Sequence, residues 1–109
     1  MKTQLFSISE ACKRRGCVLT YGHFSTIHPG HIRYLRHARS LGDELVVALV
    51  GDQGGSYSFN QQERAEALSL LGLADVVLLL RANELSDAIQ RIQPTALVLG
   101  TEYQKQPDI

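Results

Sequence analysis

The sequence has no excess of either charge: 11 Lys and Arg balance 11 Asp and Glu over 109 residues. That balance excludes the broad basic field expected of a nucleic-acid binder, so any anion site must be local. No apolar run reaches the length that spans a bilayer, and Met1 to Ser9 lacks the apolar centre of a secretory signal. Cysteine is scarce. Cys12 and Cys17 are too few for a disulfide scaffold, and one such pair is a poor zinc signal. Both read as small apolar residues in a reducing compartment. Internal repeats, low-complexity stretches and linkers are also missing. These exclusions leave one soluble, cytoplasmic domain over residues 1–109 with a modest core and no membrane partner.

What is present is an alternation of elements. Ser7-Ile8-Ser9-Glu10 is a capping-box pattern that predicts a short helix through Arg15, stopped by Gly16. Cys17 to Tyr21 predicts a strand. Pro29 suits the first position of a helix in which Ile32, Leu35, Ala38 and Leu41 recur at helical spacing, and Gly42 closes it. Glu44 to Val50 is nearly unbroken in its apolar character, as in a parallel strand covered on both faces. After a loop, Asn60-Gln61-Gln62-Glu63 is a second capping arrangement, opening a helix that ends near Leu71. Asp75 to Leu80 and Thr95 to Leu99 predict further strands, separated by a helix that starts at Asn83 or Glu84 and ends before Pro94. This rhythm implies right-handed crossovers and an α/β fold: a Rossmann-like parallel sheet with helices on both faces. The loops after Tyr21, Val50 and Leu99 should open at its carboxyl edge, where such sheets bind ligands near the reversal of strand order.

The first of these loops carries the chemistry. It reads Tyr21-Gly22-His23-Phe24-Ser25-Thr26-Ile27-His28-Pro29-Gly30-His31. Gly22 lets the backbone approach a ligand where a side chain would clash. His28 and His31 lie one helical turn apart and share a face. A helix start offers backbone N–H groups and partial positive charge, which favour phosphate. Two imidazoles aimed at one phosphate group would hydrogen-bond oxygens that gain charge during phosphoryl or nucleotidyl transfer, where catalysis is chiefly positioning and charge stabilisation. An imidazole titrates near neutrality, so its charge can follow that load. A zinc site on this pair lacks a third ligand at suitable spacing. His23 fits either a ring contact or backbone use alone. Arg33, Arg36, His37 and Arg39 read as the solvated face of the helix, and Lys13-Arg14-Arg15 as a cationic run favouring a helix C-terminus.

The segment Gly22 to His31 closely resembles the signature of the cytidylyltransferase-like nucleotidylyltransferases, Gly-x-Phe-Asp-x-x-His-x-Gly-His after the first strand. The likeness extends to Tyr34-Leu35-Arg36-His37-Ala38-Arg39-Ser40-Leu41-Gly42-Asp43, to Arg64 preceding Asp75, and to Leu99-Gly100-Thr101-Glu102-Tyr103. It is strongest with the adenylyltransferase domain of the heptose-phosphate kinase/adenylyltransferases, followed by the glycerol-3-phosphate cytidylyltransferases. The resemblance implies that a phosphorylated small molecule, a sugar or polyol phosphate, attacks the α-phosphorus of CTP or ATP and releases pyrophosphate, with Mg2+ carried by the nucleotide. His28 and His31 would be catalytic. Tyr21, Gly22, His23, Phe24, Gly30, Arg64, Gly100, Thr101 and Glu102 would bind the nucleoside triphosphate. No protein-held metal is implied. Homodimers are common among such proteins, although one sequence shows no interface.

Three departures from the family pattern stand beside the likeness. Ser25 replaces an Asp, which keeps a hydrogen bond and loses a charge. The loop 51–59 carries Asp52 and no Lys or Arg, where basic residues commonly meet the acceptor. The family's last strand and its Ser-Thr-Thr helix start are not seen, so the domain is expected to be truncated at its C-terminus. These departures favour the alternative of a non-catalytic nucleotide-binding or assembly module. Arg64 likewise has an ordinary alternative, a surface pair with Glu63 or Glu66.

Overall fold

The computed structural model describes residues 3–10, 16–22, 24, 29–50, 60–81 and 84–99. Five strands form one sheet: β1 (Gln4–Ser7), β2 (Cys17–Gly22), β3 (Glu44–Leu49), β4 (Val76–Leu79) and β5 (Ala96–Leu99). Their order is β1-β4-β3-β2-β5, and every pairing is parallel. The helices are α1 (Pro29–Arg39), α2 (Gln61–Leu71) and α3 (Leu85–Ile92). The fold is the expected Rossmann-like α/β sheet, with one strand more than the hydrophobic pattern gives. None of the described helices is long and apolar enough to cross a membrane.

Two-residue periodicity divides the core. Val18 of β2, Leu45, Val47 and Leu49 of β3 and Val77 of β4 face one side, where Leu35 and Ala38 of α1 and Ala65 and Leu68 of α2 cover them. Cys17 and Leu19, Val46 and Ala48, and Val76 and Leu78 face the other side, under Ala88 and Ile92 of α3. With helices on both faces, β3 can be apolar at nearly every position, and Leu45 to Leu49 are all 0% exposed. Cys17 is buried in the second cluster, consistent with its reading as a small apolar residue. Cys12 and the cationic run Lys13-Arg14-Arg15 lie outside the described residues.

The N-terminal expectation needs correction. Ser7 ends a strand rather than capping an α-helix, and Ile8–Glu10 form one 3-10 turn. The capping chemistry survives: the Ser7 N–H donates to Glu10 Oε1 at 2.8 Å. The competing pull is β1's pairing with β4, which packs the half-buried Phe6, with Ile8 just beyond the strand, against the second cluster. Helix α1 also stops before Leu41, which is 48% exposed. Gly42 matters for a different reason from helix closure. A Cβ there would lie 2.5 Å from the Gly16 carbonyl oxygen, and that carbonyl accepts the Asp43 N–H at 2.8 Å.

A carboxylate locks the amino edge. Asp75 Oδ2 accepts the Leu45 N–H at 2.8 Å and Arg39 Nη1 at 2.9 Å, while Arg39 Nη1 also donates to the Leu73 carbonyl at 2.8 Å. Arg39 therefore ties α1 to the start of β4 rather than belonging to a solvated face. Asp75→Ala should lower stability by about 2 kcal/mol, because it orphans the amide of a fully buried residue. The midpoint of urea denaturation reads this. Thr20 should behave oppositely. Its Oγ1 is buried with no hydrogen-bond partner among the described residues, so Thr20→Val should raise stability by about 1 kcal/mol in the same measurement.

Candidate active site

Strand β2 ends at Gly22 and α1 begins at Pro29, so α1 starts at the carboxyl edge of the sheet. On one side β2 pairs with β3 and continues through α1 over the first face. On the other it pairs with β5, which is reached through α3 from the opposite face. Strand order therefore reverses between β2 and β5, and a crevice belongs at the carboxyl ends of this pair. The register sets Tyr21 beside Leu99, so β2 and β5 end side by side at that edge.

Phe24 organises the near wall. Its φ is +50°, a left-handed conformation that costs a non-glycine residue on the order of 1 kcal/mol. That backbone turn folds the ring back into the core, where it is 6% exposed. The ring lies over Gly22, and a Cβ at Gly22 would sit 3.0 Å from Phe24 Cε2. The His31 ring packs against Phe24 at a centroid distance of 5.4 Å, tilted by 54°. Tyr34, one turn further along α1, stacks on Phe24 at 6.4 Å. The Tyr34 hydroxyl then donates to the Val98 carbonyl at 2.7 Å, tying α1 to β5. His31 is thus held by an aromatic column anchored on both strands of the crevice.

Arg64 is 1% exposed, the largest fully buried side chain of the described residues. The surface pairing with Glu63 or Glu66 is therefore ruled out: Glu66 lies on the exposed side of α2, and Glu63 Oε1 accepts the Asn60 N–H at 3.0 Å as half of a capping box. A buried guanidinium needs acceptors around it. An anion reaching Arg64 would do so by replacing part of its present surroundings.

The sequence-derived site is thus brought together in part. Gly22, Phe24, Gly30 and His31 converge at the end of β2 and the start of α1. Tyr21 stands beside them in sequence, but its side chain packs on the α3 side, so it offers the crevice main chain. His23, His28, Gly100, Thr101 and Glu102 lie outside the described residues, as do Ser25 and the loop 51–59. Sequence reasoning missed the anchoring by Tyr34. The available signal was a hydroxyl-bearing aromatic one turn beyond His31 on a half-buried face, where such a group needs a partner.

Comparison with known proteins agrees with this geometry. The cytidylyltransferase-like family model matches residues 19–108. A bifunctional protein HldE from Campylobacter curvus is 36% identical over 107 residues, covering 89% of this chain and 23% of its own length. An FAD synthase from Methanosarcina barkeri is 33% identical over 87 residues, covering 76% of this chain and 63% of its own length. The chain thus spans less than two thirds of either relative. A crystal structure of a lipopolysaccharide core biosynthesis protein from Thermoplasma volcanium superposes with a TM-score of 0.69 at 29% identity, covering 74% of this chain and 70% of that one.

The aromatic column yields a direct test. Gly22→Ala should displace the Phe24 ring and cost about 1–2 kcal/mol by overpacking. Thermal denaturation reads the loss, and the proton shifts of the His31 ring, which feels the Phe24 ring current, should move with it.

Proposed function

This chain belongs to the cytidylyltransferase-like nucleotidyltransferase family, and we propose that it transfers CMP or AMP from CTP or ATP to a phosphorylated small molecule, with release of pyrophosphate. The observation that carries this reading is His31 in the first turn of α1, clamped by Phe24 at the reversal of strand order. The imidazole, the positive end of the helix and the close backbone at Gly22 suit an anionic chain of phosphates. The acceptor proposed is a sugar or polyol phosphate, and the proposed setting is the cytoplasm.

In the proposed step a phosphate oxygen of the acceptor attacks the α-phosphorus. The bond from that phosphorus to the oxygen bridging to the β-phosphate breaks, and pyrophosphate departs with its electron pair. Negative charge grows on the α-phosphoryl and bridging oxygens. His31, with His28 as its proposed partner, would hydrogen-bond those oxygens, more strongly in the transition state than before it. Gly22, Phe24 and Gly30 would shape the wall against which the nucleotide lies. His23, Gly100, Thr101, Glu102 and the main chain at Tyr21 are proposed as the remaining nucleotide contacts, and Arg64 as a buried cation behind the phosphates. Magnesium enters bound to the triphosphate and neutralises part of its charge. Among the described residues no three His, Cys, Asp or Glu side chains gather to hold an ion of their own.

Pyrophosphate release should be measured with CTP and with ATP, in magnesium, against a panel of sugar and polyol phosphates. One nucleotide and at least one acceptor should support turnover. His31→Ala should then lower kcat by about 100- to 1,000-fold in a protein that still folds, with only a modest fall in melting temperature from the lost contact with Phe24. A folded protein that binds nucleotide but turns over no acceptor would favour the non-catalytic module instead.

A further inference from the structure

Helix α2 reaches the carboxyl edge of the sheet through the side chain of Gln61. Gln61, its first residue, donates from Nε2 to the Leu49 carbonyl at 3.0 Å and to the Leu80 carbonyl at 2.9 Å. Leu49 ends β3 and Leu80 follows β4, so the carboxamide bridges two neighbouring strand ends. Both acceptors are carbonyl oxygens, so the nitrogen of the amide must face them. The Leu80 N–H also donates to the Leu49 carbonyl, at 3.1 Å. That oxygen therefore accepts from main chain and side chain at once. One residue earlier, Asn60 closes the capping box with Glu63: Asn60 Oδ1 accepts the Glu63 N–H at 2.8 Å. The capping box fixes where the helix begins, and Gln61 fixes where that beginning sits on the sheet.

Arg64 lies three residues beyond Gln61, and Leu68 four beyond Arg64, so all three share the helix face turned to the sheet. Leu68 is anchored in the apolar cluster, which sets the rotation of α2 at its far end. Its first turn has no apolar residue to do so: Gln62 and Glu63 are exposed, Arg64 is buried but charged, and the apolar anchoring begins only at Ala65, while Gln61 bonds the strand ends. We propose that Gln61 is a positioning residue for nucleotide binding, its amide holding the first turn of α2 against the ends of β3 and β4 and thereby setting the place of the Arg64 guanidinium. The proposal rests on the reading of Arg64 as a phosphate-side cation. A buried charge tolerates little displacement, because a lost acceptor inside the protein is not replaced by water. A small slide of the helix start would move that charge while leaving the apolar anchor at Leu68 in place.

The test is a double-mutant cycle in the full-length protein, with calorimetric titration of CTP and ATP in magnesium. Gln61→Met keeps the length of the side chain and removes both donors. It should weaken the binding of whichever nucleotide the wild type takes by about tenfold. In an Arg64→Ala background the same change should have little further effect, because the group it positions is gone. Equal losses in both backgrounds, or no loss in the wild-type background, would overturn the proposal. A second readout needs no nucleotide: the Arg64 side-chain Nε–H signal in a nitrogen-15 spectrum should shift, and its hydrogen exchange quicken, in Gln61→Met. An unmoved signal would overturn the positioning role outright. Failure of both nucleotides to bind the wild type would overturn the functional reading and this role in nucleotide binding, while the Arg64 signal would still report whether the clamp exists.

Discussion

Strand β2 hydrogen-bonds on both sides to strands that run its own way. Its residues pair from Cys17 against Glu44 to Gly22 against Leu49 on one side, and from Val18 against Ala96 to Tyr21 against Leu99 on the other. Cys17 to Thr20 are buried, so their main-chain groups have no recourse to water and the register is enforced. Parallel pairing also puts every strand's carboxyl end on one edge, which sets the ends of β2 and β5 side by side. The start of α1 and the rings it carries inherit their positions from that arrangement.

Polar side chains secure the two edges of the sheet differently. At the amino edge Asp75 accepts a strand amide and an arginine, and Arg39 in turn reaches the Leu73 carbonyl. At the carboxyl edge Gln61 donates to two strand carbonyls. The choice of residue follows the main chain. Strand starts present N–H groups that a carboxylate can accept, and strand ends present C=O groups that an amide can satisfy. Each tie links a helix terminus to two strands: the end of α1 to β3 and β4 below, the start of α2 to the same pair above. The interval between helix and sheet is thereby set by polar contacts at both edges, with the apolar clusters filling what lies between.

The elements with strong periodicity were legible in the chain. Pro29 opens α1, Asn60 and Glu63 cap α2, and the apolar run at 44–50 is β3, because local propensity and tertiary packing agree there. Strand β1 was not legible. Gln4 to Ser7 shows no alternation, and its pairing with Val76 to Leu79 depends on a partner some seventy residues away. The site divides along the same line. The motif from Gly22 to His31 is local, and its glycine, phenylalanine and histidine act on one another directly. Arg64 as a buried group, Tyr34 as an anchor to Val98 and Gln61 as a clamp all require knowing which strands are neighbours, and a spacing rule carries no such information.

Departures from local preference are not scattered through this molecule. Thr20 keeps a hydroxyl where a methyl would pack, Phe24 holds a left-handed backbone, and Arg64 keeps a charge inside the core boundary. Each belongs to β2, its outgoing loop or the first turn of α2, on the face that α1 and α2 cover. Among the described residues the other non-glycine with positive φ, Gln93, has an ordinary cause, since it closes the C-terminus of α3 with its N–H on the Ile89 carbonyl. Away from the site the described core follows the rules of alternation and close packing. A sequence that obeys local physics nearly everywhere and sets it aside around one crevice is carrying a cost there that folding alone does not require. Under the proposed function that cost would have its use, because groups arranged to receive a phosphate cannot also be optimally packed for its absence.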